Sequence, residues 1–161
     1  MSAADSPREG NASGQSGLTK RIVATPLFRD RPRNLQIVLG GVVPVLVGAV
    51  AGVLIGAAAP AYWVWAILAG IGAFLSGFEH RDGWGGADRG FFGGLFYGTG
   101  LLVMHAILGT QAKVSLGSFP PLLAVVSAIF GMFLAAGGGR IARGTRAKAG
   151  IVYPDSHDSA S

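Results

Sequence analysis

The stretch 34–78, NLQIVLGGVVPVLVGAVAGVLIGAAAPAYWVWAILAGIGAFLSGF, decides the fold class, because 45 residues pass between Arg33 and Glu79 without a charge. A helix needs about 20 apolar residues to cross ~30 Å of hydrocarbon. This run is too long for one span and suits two. Its break lies at Ala57-Ala58-Ala59-Pro60, where proline lacks a backbone donor and restricts the residue before it. Two more uncharged stretches, Gly90–Ala112 and Val114–Gly139, each fit one span. The sequence therefore predicts four membrane-spanning helices, roughly 36–58, 61–78, 90–109 and 119–138.

The runs are continuous rather than alternating, which selects helices over strands. A helix in lipid satisfies its own backbone hydrogen bonds. A water-soluble bundle is excluded, because no span has a polar face and no other part of the chain could bury all four. Composition agrees: 50% of the residues are hydrophobic and 13% charged, against roughly 25% charged in a soluble domain. With no cysteine present, disulfides, thiolate metal sites and thiol catalysis are excluded.

Residues 1–34 lack an apolar signal-peptide core, and Met1 to Gly17 reads as a disordered tail. The short apolar piece Ile22–Phe28 suits the membrane surface. Residues 35–139 form the membrane domain, and 140–161 a basic, then disordered, C-terminal tail. Four spans put both tails and the 79–89 loop on one side, with Arg8, Lys20, Arg21, Arg29, Arg31, Arg33, Arg81, Arg89, Arg140, Arg143, Arg146 and Lys148. The opposite side holds Lys113 alone. Basic residues near span ends mark the cytoplasmic face. The expectation is a cell-membrane, multi-pass protein with both termini cytoplasmic.

Local signals place the span ends. Tyr62, Trp63 and Trp65 suit the outer interface at the start of span two. Asp88 is positioned to cap span three and Ser118 to cap span four, with Gly137-Gly138-Gly139 ending it. Pro44 predicts a kink in span one.

Glycine accounts for 27 residues, about one in six. Gly48, Gly52 and Gly56 line one face of span one, and Gly90, Gly94 and Gly98 one face of span three. Lipid supplies no hydrophobic force between helices, so small residues that admit close backbone approach hold them together. The expected architecture is an all-α four-transmembrane-helix bundle with glycine-rich packing. A homo-oligomer through one such face, or a place in a membrane complex, is consistent with it.

Chemistry-bearing residues are sparse. No Asp, Glu, Lys or Arg falls inside the four predicted spans. The candidate polar site is His105, with Thr99 and Tyr97; His105 lies four residues from Gly109, about 6 Å from its helix end. In the 79–89 loop, Glu79, His80 and Asp82 offer cation ligands, but their spacing is generic and salt bridges to Arg81 and Arg89 compete. No phosphate-binding loop or supported Ser/His/Asp arrangement occurs. No catalytic residue, metal or cofactor is expected, and the chain is not read as an enzyme. The basic flanks at 20–33 and 140–148 set topology and contact anionic lipid, so the lipid bilayer is the expected partner and nucleic acid is not.

The stretch 69–100, AGIGAFLSGFEHRDGWGGADRGFFGGLFYGTG, joins a small-residue helix end, a charged Gly/Asp-rich loop and a helix with a paired-glycine start. It resembles a group of uncharacterised four-helix membrane proteins common in halophilic archaea and found in some bacteria. The resemblance covers spans two and three and implies an integral membrane protein, with no catalytic residue to transfer. Halophilic members tend to be acidic, whereas this chain carries +5. The leading functional expectation is a structural or accessory membrane role. A small oligomeric channel or transporter and a basic-faced component of an enveloped virion are the alternatives.

Overall fold

A computed structural model describes residues 27–151. Within them the chain is all-helical. Four long helices dominate: α1 (Arg33–Ala57), α2 (Ala59–Ser76), α3 (Gly83–Leu108) and α4 (Leu122–Lys148). Short 3-10 turns at Phe28–Asp30 and Gly77–Glu79 precede α1 and extend α2. Each of the four is long and apolar enough to cross a membrane. The expected tails at 1–26 and 152–161 lie outside the described residues.

Proline and glycine set the breaks. Ala58 is extended, and Pro60 sits in the first turn of α2, where its missing N–H costs nothing. Gly109 ends α3 at φ 60°, a left-handed position glycine adopts without strain. In α1 the proline signal takes an unexpected form. Residues Val38–Val42 wind as a π turn, and Pro44 stands two residues after it.

The ends of α3 and α4 differ from the sequence expectation. Helix α3 begins at Gly83, so Asp88 and Arg89 lie within it and the loop shrinks to 80–82. Its cap is Asp82, which accepts from the Gly85 amide at 2.8 Å; Asp88 is not the cap. Helix α4 starts at Leu122 with no side-chain cap, so Ser118 has no such role. The helix runs through Gly137-Gly138-Gly139 to Lys148 and takes in residues expected in the tail. Three mid-helix glycines cost about 1 kcal/mol each relative to alanine. Packing explains two of them: a methyl at Gly138 would collide with Phe74 O, and one at Gly139 with Asp82 O.

The most extensive helix contact is α3 on α4, followed by α1 on α3; α2 touches its neighbours far less. Small residues line both major contacts. A methyl at Gly48, Gly52 or Gly56 would strike Tyr97 O, Leu101 O or Thr110 Oγ1, respectively. A methyl at Gly90, Gly94 or Gly98 would strike Gly131 O, Ser127 O or the Ala124 Cα. The first row thus faces α3 and its following loop, and the second faces α4. The buried set is mostly alanine and glycine, with Ile55 and Leu101 its largest fully enclosed side chains. Large apolar groups such as Ile67, Ile107, Phe130 and Phe133 point outward.

Candidate functional site

Two groups of connections gather at opposite ends of the bundle. At the end holding the α1–α2 junction, Lys113 is the anchor. Its amide donates to Ile55 O at 2.9 Å and its ammonium to Ala57 O at 2.6 Å. A cation on the last carbonyls of α1 meets the negative end of the helix dipole. His105 lies here, with Nδ1 3.5 Å from Thr110 Oγ1.

The other end carries the charged cluster. Arg31 donates to Glu79 Oε1 at 2.6 Å. Arg146, only 2% exposed, donates to His80 O at 2.6 Å and Phe78 O at 2.7 Å. These carbonyls end the α2 extension and have no helical partner of their own. The far turn of α4 thereby clamps the α2–α3 connection.

Arg89 is the centre of this end. In π geometry each amide donates five residues back, as Val43 N–H does to Val38 O. The next pair would be Pro44 to Leu39, and proline has no proton to give. The Arg89 guanidinium donates to Leu39 O instead. It also sits over the Phe28 ring, 4.4 Å from its centroid. Gly40 leaves it room, since a Cβ there would lie 3.0 Å from Arg89 Nη1. Helix α3 thus starts earlier than the predicted span of 90–109, early enough to carry a guanidinium to the wall of α1.

Phe28 continues the stack onto His80, with centroids 5.8 Å apart and planes at 24°. His80 Nδ1 lies 3.2 Å from Ser76 O, a contact that holds when Nδ1 carries the proton. Burial disfavours the imidazolium and holds His80 below its usual pKa; the positive charges of Arg89 and Arg29 act in the same direction. The Ser76 contact and Asp82 oppose the shift without cancelling it. Glu79, His80 and Asp82 are adjacent in sequence but committed separately, to Arg31, to the stack and to the α3 cap. Among the described residues no group of three or more metal-ligating side chains forms.

Arg89 separates two concavities. One, about 460 Å³, is bordered by Phe28, Arg29, Arg33, His80 and Asp88. The other, about 790 Å³, is a long groove between α2 and the remaining helices. Its wall is largely apolar, and Arg31, Glu79 and Arg89 line its charged part. The Nε atoms of Arg31 and Arg89 are buried and, among the described residues, have no hydrogen-bond partner.

The three residues expected as a polar site are not brought together. Tyr97 lines the groove, Thr99 is exposed on another face of α3, and His105 is at the far end with Thr110. The expected aromatic belt divides as well. Trp63 is exposed, Tyr62 is buried against Ala51, Ile55 and Leu101, and Trp65 donates to Val47 O at 2.9 Å. Of the residues that converge, Arg31, Arg89 and Arg146 stand in the sequence as topological markers and Glu79 as a candidate cation ligand. The legible signal was Pro44, which leaves a carbonyl for some other donor to satisfy.

No protein-family model, curated protein or solved structure matches the chain. The resemblance drawn from residues 69–100 therefore assigns no further role to any residue.

Proposed function

We propose that the chain is a multi-pass membrane protein with a structural or accessory role, acting through helix, lipid and subunit contacts rather than catalysis. One observation carries the reading: the size order of a soluble core is inverted. Alanine and glycine fill the interior, while Ile67, Ile107, Phe130 and Phe133 face outward. In water those outward faces would be an aggregation surface. In lipid they match the solvent, and the small interior residues act as a glycine zipper that lets backbones touch.

Both termini and the α2–α3 connection are assigned to the cytoplasmic side of the cell membrane, following the distribution of arginine and lysine. Both glycine rows are engaged within the chain, so a homo-oligomer would use another face. The largely apolar wall of the groove gives the channel reading no support.

The lack of native cysteine makes the test direct. Ser115→Cys in intact cells should react with a membrane-impermeant maleimide, while Ala149→Cys should react only after permeabilisation. The chain should stay in the membrane pellet at alkaline pH. Partition into buffer without detergent, or labelling of both cysteines in intact cells, would overturn the reading.

A further inference from the structure

We propose that the groove between α2 and the other helices holds one anionic lipid of the surrounding bilayer, with its head on Arg31 and Arg89 and its chains running toward Trp65. The inference rests on the membrane reading above and goes beyond it by naming a ligand class and a site.

Charge supplies the first argument. Two guanidiniums and one carboxylate line the groove, leaving one positive charge in excess. Both Nε atoms are buried without a partner among the described residues. An unbalanced guanidinium away from water is costly, and its planar fork fits the oxygens of a phosphate.

Shape supplies the second. Beyond the arginines the wall is apolar, with Val43, Val47, Ala69 and Leu134 among its members. Glu79 and Trp65 are 14 residues apart, roughly 20 Å along a helix. That exceeds one leaflet's share of the ~30 Å hydrocarbon core, so a lipid with its head at the arginines fits its chains within the groove. A helix from a second copy would fill the apolar part and leave that one positive charge unbalanced. A lipid satisfies both parts at once.

The test uses the full chain with Trp63→Phe and Trp84→Phe, two exposed positions, so that Trp65 is the sole tryptophan. The protein is placed in phosphatidylcholine vesicles containing phosphatidylglycerol or phosphatidylcholine brominated on its acyl chains, a contact-range quencher. Brominated phosphatidylglycerol should quench Trp65 at a mole fraction roughly tenfold lower than brominated phosphatidylcholine. The preference should disappear in Arg31→Gln and in Gly93→Val. The second variant fills the groove where an added Cβ meets Pro44 Cγ at 4.0 Å, and it leaves the arginines intact. Equal quenching by the two lipids would overturn the proposal, as would a preference that survives both variants. Loss of the preference on adding inorganic phosphate would reassign the arginines to the free anion. Cross-linking of two copies through the groove would assign it to self-association. A chain that inserts but shows no preference sinks the lipid site alone, while one that fails to sediment with vesicles sinks the membrane reading with it.

Discussion

Arg89 answers a defect created fifty residues earlier. Pro44 leaves the Leu39 carbonyl without its π-register donor, and the guanidinium supplies one. A double-mutant cycle tests this pairing. Arg89→Gln alone strands a carbonyl and should cost on the order of 1–3 kcal/mol. Pro44→Ala restores an amide, so the double variant should be less destabilised than the sum of the singles, with coupling above ~0.5 kcal/mol in reversible unfolding in mild detergent. Additive costs would show that the two residues act independently. His80 gives a second residue-scale prediction. Its folded pKa lies below the ordinary 6.5, so between the two values the unfolded chain binds more protons. Its contribution is complete above about 6.5 and is lost as pH falls through the window beneath it. Amide hydrogen exchange over residues 77–83, corrected for its intrinsic pH dependence, should rise on acidification, and His80→Gln should flatten that response.

At the scale of elements, the helices are held by close backbone approach. Gly94→Ala would drive a methyl into Ser127 O at the α3–α4 contact and should cost about 1–3 kcal/mol. Gly144→Ala, in the same α4 but with open space at its Cβ, should be neutral or stabilising by up to ~1 kcal/mol. Thermal unfolding in detergent separates them, and equal effects would mean that helix propensity, not approach, is being measured. The far turns of α4 are similarly specific. Arg146→Ala leaves the Phe78 and His80 carbonyls unpaired and should cost on the order of 2–3 kcal/mol. Exposed Arg143→Ala should stay within ~0.5 kcal/mol. If the two variants unfold alike, the clamp is not a stabilising contact.

For the whole molecule, the uneven packing of the four helices is the main fact. Helices α1, α3 and α4 make the close contacts, while α2 is joined mainly at its ends: to α1 through the turn at Ala58, and to α4 through Arg146 and the Gly77–Gly138 region. The groove along α2 follows from that arrangement. A helix bordered by a filled groove should respond to what fills it. Anionic lipid should therefore raise the unfolding temperature of the wild-type chain more than zwitterionic lipid does, and the difference should shrink in Gly93→Val, as read by a thermal-shift series in mixed micelles.

Sequence alone determined the number of helices and their approximate centres, because the price of a charge in hydrocarbon writes itself into composition: 45 residues without one have few other homes. Its repeat of four also places Gly48, Gly52 and Gly56 on one side of α1, and Gly90, Gly94 and Gly98 on one side of α3. Tertiary structure decided where α3 and α4 end and which charges face inward. Asp82 rather than Asp88 caps α3 because the chain turns tightly after His80, and glycine stands at 138 and 139 inside α4 because Phe74 and Asp82 press against those positions. Arg31, Glu79, Arg89 and Leu39 meet across separations of about fifty residues, and no local pattern records such a meeting. A helix period reports which side of its own axis a residue takes, whereas a site between helices depends on the register of one against another.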